Sequence, residues 1–263
     1  MRTTDGAEGE AGREAQIEAF LRRAPYLHAY ELGDLDPREA PHTTWLASNP
    51  VDAVVLVYRG LATPTILALT DDDPAALCAL LAARAHELPA RFYAHLTPGV
   101  ETALGPRYHA RRLGHHVKMG LAGPVTAPAP ADDVIVRLTP QHAAEAMQFY
   151  AASYPASYFE PVNLERGPYL AIRDDQGIAA IAGVHVYSPA LRVASLGNIA
   201  TRPDARGRGH ARRVTAALCR LLQAEVEIIG LNVRADNAAA LACYRAVGFE
   251  VCHPYDEWLV TQA

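Results

Sequence analysis

Lysine is almost missing from this chain of 263 residues, and its cysteines are few and scattered. Lys118 is the only lysine, which excludes a phosphate loop that ends in Gly-Lys-[Ser/Thr]. No two cysteines stand in a C-x-x-C spacing, so neither a disulfide framework nor a zinc site is indicated. We therefore expect no bound metal. The cysteines are Cys78, Cys219, Cys243 and Cys252.

The chain also lacks long apolar runs and an excess of positive charge. No signal-peptide-like region follows the N-terminus, and no apolar run approaches the length of a membrane span. The formal net charge of -5 argues against general nucleic-acid binding. Half of the residues are hydrophobic, so a sizeable core can be buried in one large or two modest domains. We expect a cytoplasmic monomer or homodimer without a nucleic-acid or membrane partner.

A turn rich in glycine and arginine, residues 202–213, separates a predicted strand from a predicted helix. The strand begins near Arg192 and its exit is fixed by Pro203, while apolar residues at helical spacing run from Val214 to Leu222. Glycine lets the backbone turn sharply and lets main-chain amides approach a ligand. The first amides of a helix lack intrahelical partners and carry the positive end of the helix dipole. The turn is therefore predicted to hold a pyrophosphate.

Two loop designs remain for this turn once the lysine-containing loop is excluded. A dinucleotide fingerprint G-x-G-x-x-G would start at Gly207, but Arg212 stands where its third glycine belongs, and the turn lies late in the chain. The pattern R-x-x-G-x-[G/A] is matched by Arg206, Gly209 and Ala211. That match resembles the coenzyme A loop of the GNAT superfamily of acyl-CoA-dependent N-acyltransferases. Taken alone, a solvated basic turn would explain the same residues.

A second motif follows further along the chain. The GNAT pattern N-x-x-A-x-x-x-Y-x-x-x-G-F is matched in full from Asn237 to Phe249. Asp236 or Asn237 can cap the helix start, and Gly248 can end the helix. Because both motifs have the family's order and spacing, roughly residues 134–260 are identified as a GNAT domain. The resemblance implies an α/β (α+β) GNAT fold, with a mixed, mostly antiparallel central sheet flanked by helices.

The first half of the chain repeats the predicted order of elements but not the loop. Asp71, Asp72 and Asp73 stand before its helix, where three carboxylates would repel a pyrophosphate. The chain therefore resembles tandem GNAT proteins with two GNAT-like halves, in which a degenerate N-terminal copy is structural or shapes the substrate pocket. The predicted domains are a mobile N-terminus at 1–13, the degenerate half at 14–121, a Pro/Ala linker at 122–132 and the GNAT domain at 133–263.

Periodicity and turn residues predict further elements in both halves. A helix opens at Pro74 and closes before Pro89. Other helices are predicted at about 14–23, 98–104 and 140–152, and strands at about 53–58, 65–69, 91–96, 108–121, 134–138, 169–173, 178–186 and 228–233.

A long connection at residues 153–167 is rich in aromatic side chains. Tyr154, Tyr158 and Phe159 lie in it, together with Glu160 and Glu165. Long irregular connections in compact domains are often functional, and in GNAT proteins the matching region walls the acceptor site. A loop that merely caps the core with its tyrosines is the alternative. Both interpretations stay open at this point.

The resemblance also implies which residues hold the coenzyme and which carry out the chemistry. Tyr244 matches the family's general acid for the departing sulfur, although a tyrosine packed on the sheet is the alternative. No residue is evident as the general base; Glu160 and His185 are the candidates, and a histidine on a strand can also belong only to the core or an edge. The predicted coenzyme-binding residues are Asn198, Ile199, Ala200, Thr201, Arg206, Gly207, Arg208, Gly209, His210, Ala211, Arg212, Asn232, Asn237 and Tyr244.

The family resemblance predicts an N-acyltransferase that uses acetyl-CoA, or another short acyl-CoA, as cosubstrate. The acyl group would move to the amine of a small molecule by direct attack in a ternary complex. Two alternatives are an acyl-CoA-binding regulatory module without catalysis and a protein N-acetyltransferase. The presence of both Asn237 and Tyr244 favours the enzyme, because a binding module has no need of the tyrosine hydroxyl.

Overall fold

The structure, a computed structural model, describes residues 4–127 and 135–263. These residues divide into two units. The first contains residues 4–118, 234–236 and 252–263, and the second contains residues 119–127, 135–233 and 237–251. Both contain helices and strands. In chain order they are α1 (Thr4–Leu21), α2 (Ala29–Asp34), β1 (Thr43–Ala47), β2 (Val54–Tyr58), β3 (Thr65–Ala68), α3 (Ala75–Arg84), β4 (Arg91–Leu96), β5 (Tyr108–Gly120), β6 (Ile135–Leu138), α4 (Ala143–Ser153), α5 (Asn163–Arg166), β7 (Tyr169–Asp174), β8 (Gly177–Ser188), β9 (Val193–Thr201), α6 (His210–Gln223), β10 (Ile228–Arg234), α7 (Ala238–Arg245) and β11 (Glu250–Gln262).

The strands of the first unit lie in the order β1-β2-β3-β4-β11-β5. β1, β2 and β3 are successively antiparallel, and β4 joins β3 in parallel. The C-terminal strand β11 pairs antiparallel with β4, for example through Trp258 and Ala94. Apolar side chains of these strands pack with Leu77 and Leu81 of α3 in one buried cluster. This unit therefore has a core of its own.

The strands of the second unit lie in the order β10-β9-β8-β7-β6. Neighbouring strands are antiparallel except for β9 and β10, which are parallel. The helix α6 contacts β7, β8 and β9, and it buries Val214, Leu218 and Leu222, which recur every four residues along one face. The helix α4 contacts β8 and β9. This mixed, mostly antiparallel sheet with helices packed against it confirms the expected fold class.

The N-terminal region differs from its prediction. Residues 4–13 lie in α1, where a mobile end was expected, and the helix extends over Ala, Glu, Gln and Arg residues that favour helix. Its Arg13 guanidinium donates hydrogen bonds to the carbonyls of Ala47 (2.8 Å) and Ser48 (2.7 Å). The short elements α2 and β1 had no counterpart in the prediction, because neither is long enough to show a clear hydrophobic period.

The end of the chain belongs to the first unit, although the predicted GNAT domain extended to residue 263. Residues of β11 pair with β4 from Asp256 opposite Leu96 to Thr261 opposite Arg91. No strand was predicted here from the sequence, and the partner of a strand that is far away in the chain leaves no local pattern. Of the predicted linker, residues 128–132 lie outside the described residues. The other domain boundaries stay predictions.

Candidate active site

The parallel pairing of β9 with β10 stops before either strand ends. The last pair joins Leu196 to Leu231, while β9 continues to Thr201 and β10 continues to Arg234. Beyond Leu196, the main-chain edge of β9 that faces β10 therefore forms no pairs with the described part of β10. The predicted coenzyme residues 198–201 lie on this part of β9, and Asn232 lies on the diverging part of β10. Such an edge can pair with an extended ligand that carries amide groups.

The turn after β9 presents consecutive main-chain amides. Gly207 and Gly209 both have a φ of 77°, a left-handed conformation that glycine adopts without strain. Among the described residues, no amide from Gly207 to Arg212 donates to a protein acceptor, and the first to do so is that of Arg213, onto the Gly209 carbonyl (3.1 Å). A Cβ at Gly207 would meet no atom within 4 Å. Open, unpaired amides at a helix N-terminus suit phosphate oxygens.

Arg202 differs in its contacts from Arg208 and Arg212 of the same turn. Arg202 is held by Asp174 (Nη2 to Oδ2, 2.7 Å) and by Asp204 (Nε to Oδ1, 2.6 Å). It therefore ties the turn to the end of β7. Arg208 and Arg212 are exposed, and neither takes part in an ion pair among the described residues. Their charges are available to an anionic ligand.

The corresponding position in the first unit carries a carboxylate. Asp73 Oδ1 accepts a hydrogen bond from the Ala75 amide (3.0 Å) at the start of α3. Asp71 and Asp72 are exposed beside it. A carboxylate that already occupies the first turn of this helix leaves less room for a phosphate and repels its charge. This observation supports the expectation that the first half has no coenzyme site, which stays a prediction.

Asn237 and Tyr244 have different positions on α7. Asn237 Oδ1 caps the helix by accepting from the Ala240 amide (3.1 Å). Tyr244 is 9% exposed, and its hydroxyl has no hydrogen bond to another described residue. Burial, and secondarily the neighbouring Cys243 thiol, raise the pKa of Tyr244 well above its ordinary value, so the hydroxyl keeps its proton in neutral water. Burial raises the pKa of the Cys243 thiol, and the charge of Arg212 lowers it. Arg212, at the start of α6, therefore lies close to α7.

The aromatic connection contains both a core anchor and exposed rings. Phe159 is buried and stacks on Tyr150 of α4, with ring centroids 4.6 Å apart. Tyr154 and Tyr158 are 42% and 60% exposed. Tyr154 contributes to the raised pKa of both Tyr150 and Tyr244, so it lies near the predicted acid. The core-capping interpretation thus holds for Phe159, and a contact of Tyr154 with the acceptor stays a prediction.

The two candidate bases lie in different surroundings. The Glu160 side chain is exposed, and its main chain begins α5 by accepting from the Asn163 amide (2.9 Å). His185 lies at a register shift of β8, and its ring covers Gly197, where a Cβ would stand 1.6 Å from the ring's Cδ2. Its side chain reaches solvent, yet protein surrounds it closely enough that desolvation lowers its pKa, partly offset by a hydrogen bond with Asn198. An accessible, largely neutral imidazole is the better proton acceptor at neutral pH.

The sequence analysis missed two glycines and two tyrosines that shape this region. Gly183 pairs directly with Gly197 across β8 and β9, and a Cβ at Gly183 would lie 2.0 Å from the Tyr169 ring. The Tyr150 hydroxyl donates to the Asn198 carbonyl (2.6 Å). Isolated glycines inside strand patterns were the available signal, because they mark places where another group approaches the backbone closely.

Residues 4–127 and 135–263 contain neither a metal-binding cluster nor a membrane-spanning helix. No group of three or more His, Cys, Asp and Glu side chains is placed there to hold a metal ion. In that same part of the chain, no helix is both long and apolar enough to cross a membrane. All four cysteines are free thiols.

Comparison with known proteins identifies the relatives of this chain. The model of the acetyltransferase (GNAT) family matches residues 138–249. A solved GNAT-family protein from Novosphingobium aromaticivorans is 23% identical, with a TM-score of 0.65, over 88% of this chain and 96% of that one. A GCN5-related N-acetyltransferase from Kribbella flavida is 17% identical, with a TM-score of 0.59, over 89% of this chain and 95% of that one.

A tandem GNAT protein from the clavulanic acid biosynthesis pathway is 16% identical, with a TM-score of 0.57, over 97% of this chain and 95% of that one. No curated protein sequence matches this chain. At these identities the structural likeness establishes the fold, and the family match covers the open amide turn and Tyr244. Residues 138–249 are therefore a GNAT acetyltransferase domain.

Proposed function

We propose that this protein is an N-acyltransferase that moves an acetyl or other short acyl group from acyl-CoA to the amine of a small molecule. The observation that carries the proposal is the row of unpaired amides from Gly207 to Arg212. This row lies in the turn that comes after β9 and its unpaired edge. These amides are accessible at a helix N-terminus and have no protein partner, so they suit an anionic ligand.

The residues present fit acyl-CoA as cosubstrate. The amides of Gly207–Arg212 would hold its pyrophosphate, with the charges of Arg208 and Arg212 nearby. The edge of β9 at residues 198–201 would hold the amide-bearing pantetheine arm as a neighbouring strand does. The cosubstrate supplies the activated acyl group as a thioester. Main-chain amides of β9 would polarise the thioester carbonyl, because fixed dipoles stabilise the charge that develops on its oxygen.

His185 and Tyr244 divide the proton transfers between them. The neutral amine attacks the acyl carbon, and His185 accepts the proton that the amine nitrogen loses as the C–N bond forms. The C–N bond forms, the C–S bond breaks, and Tyr244 donates its hydroxyl proton to the departing sulfur. The hydroxyl of Tyr244 is protonated and makes no hydrogen bond with another described residue, so it is available for this step. We assign the base to His185 rather than Glu160 because the His185 ring lies against β9 itself.

The acceptor class follows from the side chains around Tyr244. Tyr154 is near Tyr244 and exposes part of its ring, which suits a small organic amine with an apolar portion.

The free thiols agree with a reducing compartment such as the cytoplasm.

The proposal is tested by release of free thiol from acetyl-CoA in the presence of a panel of amines, including amino acids, polyamines and short peptides. We expect turnover with at least one small amine. Turnover only with a peptide would instead support a protein N-acetyltransferase. Tight acetyl-CoA binding in calorimetry, with no turnover for any amine, would support a regulatory acyl-CoA-binding module and contradict the enzyme.

A further inference from the structure

We propose that the rings of Tyr150, Phe159 and Tyr169 form an aromatic wall that limits the acyl group on the coenzyme to acetyl and propionyl, and that Phe159 sets this limit. This choice of acyl chain rests on the proposed acyl transfer and makes its donor specific. The aromatic wall itself follows from contacts within the second unit alone.

The three rings of the aromatic wall pack on one another. Phe159 stacks on Tyr150, with ring centroids 4.6 Å apart and planes inclined by 28°. It meets Tyr169 nearly edge-on, at 5.5 Å and 67°. All three residues are buried, and aromatic pairs with these geometries attract beyond the area that they bury. Because close-packed side chains yield only at a cost in free energy, the wall is a fixed boundary.

Hydrogen bonds fix two of the rings beside β9. The Tyr150 hydroxyl donates to the Asn198 carbonyl (2.6 Å). The Tyr169 hydroxyl donates to the Val184 carbonyl (3.0 Å) and accepts from Asn198 Nδ2 (3.0 Å). The carbonyls can only accept, which sets the direction of these bonds. The Phe159 ring has no polar atom and is held by packing, so it can be replaced without removing any of these hydrogen bonds.

The sheet leaves space for the aromatic wall at the point where β9 loses its partner. Gly183 has no side chain, and the Tyr169 ring lies 2.0 Å from the place where its Cβ would be. Gly183 pairs with Gly197, which directly precedes Asn198 in β9. The last pair of β9 with β10 is at Leu196. The aromatic wall therefore adjoins the start of the unpaired edge, on which the thioester is proposed to bind.

An acyl chain at the start of this edge has little room before it meets a ring. A carbonyl oxygen bound by a main-chain amide lies about 3 Å from the amide nitrogen, and Asn198 already forms hydrogen bonds with two of the three rings. In an apolar pocket, one methylene more or less changes specificity roughly 10- to 200-fold. We therefore expect acetyl-CoA and propionyl-CoA to be accepted and hexanoyl-CoA to be rejected.

The test is calorimetry of the full chain with acetyl-CoA and with hexanoyl-CoA, in the absence of any amine. For the wild-type protein, the Kd of hexanoyl-CoA should be at least tenfold higher than that of acetyl-CoA. In Phe159→Leu, this ratio should fall to about threefold or less while the Kd of acetyl-CoA stays the same. Phe159→Ala removes more of the ring and should lower the ratio further. Phe159→Leu keeps an apolar side chain, so it serves as the test if Phe159→Ala does not fold.

Phe149→Leu is the matched control. Phe149 is also buried and packs edge-on against Tyr150, at 5.4 Å and 80°. Among the described residues, its ring has no contact with the ring of Phe159 or Tyr169. The same substitution there should leave the ratio of the two Kd values as it is in the wild-type protein.

The outcomes separate the aromatic wall from the proposed acyl transfer. Equal affinity of the wild-type protein for both acyl-CoAs, an unchanged ratio in folded Phe159→Leu, or an equal fall of the ratio in Phe149→Leu would overturn the wall and leave the transfer intact. The expected change in ratio, together with no thiol release for any amine, would contradict the transfer and leave the wall intact. Binding of neither acyl-CoA would contradict both.

Discussion

Replacing Gly197 by alanine adds one methyl group that is aimed at His185. The new Cβ would stand 1.6 Å from Cδ2, 2.1 Å from Nε2 and 2.3 Å from Cγ of the imidazole. Even the tightest ordinary contact, 3.4 Å, requires the nearest ring atom to move by about 2 Å. The His185 ring reaches solvent, so it can swing away by changing rotamer. The backbone of β9 need not move.

The expected loss is catalytic and not structural. A displacement of about 1 Å can cost roughly 10²-fold in rate, and a general base contributes roughly 10²–10⁴-fold. We therefore expect kcat to fall about 10²-fold. Losing the hydrogen bond with Asn198 costs about 1 kcal/mol, and alanine in place of glycine returns about 0.4–1 kcal/mol through the unfolded chain. The free energy of unfolding should change little, and the KM for acetyl-CoA should stay the same.

Substitutions at two further glycines serve as controls for Gly197→Ala. Gly183→Ala drives its methyl group into the Tyr169 ring at 2.0–2.3 Å, and Tyr169 is fully buried, so that variant should lose stability. Gly123→Ala meets nothing within 4 Å and should be neutral. Steady-state thiol release and thermal denaturation measure all three. A stable Gly197→Ala variant with full kcat would refute His185 as the base.

Four other predictions follow from the site. Gly209→Val should raise the KM for acetyl-CoA at least tenfold, about 1.4 kcal/mol, because it strains a left-handed residue (φ 77°) among the open amides; an unchanged KM in a folded variant would remove the turn from the site. Tyr244→Phe should lower kcat about 10- to 100-fold with unaltered coenzyme affinity in calorimetry, and full activity would make the tyrosine purely structural. In a pH profile of kcat at saturating amine, the rate should fall on the acid side only below the ordinary histidine range near ~6.5, because desolvation lowers the pKa of His185 and only its neutral form accepts a proton; an acid limb above that range that does not follow the pKa of the amine used would contradict this assignment. Asn237→Ala should lower the free energy of unfolding by about 1 kcal/mol through loss of the α7 cap, and denaturant titration showing no loss would contradict the capping role.

Local signals predicted much of the second unit. Each of these signals involves residues that are close together in sequence. They are the apolar spacing from Val214 to Leu222, the capping residue Asn237 and the glycines of the turn. The open turn and the helix α6 were therefore predictable from residues within a single stretch. The helix α7, which carries Tyr244, was predictable for the same reason, because its capping residue Asn237 is part of the same short motif.

The arrangement around Asn198 was not predictable in this way. The contact of Tyr169 with Gly183 and that of His185 with Gly197 depend on strand register, which a single sequence does not define. The left-handed conformation of Asn198 arises at a register shift between two strands. The C-terminal strand β11 was not predicted, and its pairing with β4 joins residues far apart in sequence.

The central claim is that this chain transfers an acyl group to an amine, and product analysis tests it most directly. The full chain is incubated with ¹³C-labelled acetyl-CoA and the amine panel, and the products are identified by mass spectrometry while free thiol is counted. We predict one labelled amide for each thiol released, formed with a small amine and strongly reduced in Tyr244→Phe. Thiol release without a labelled amide, or acetyl-CoA recovered intact with every amine, would contradict the claim.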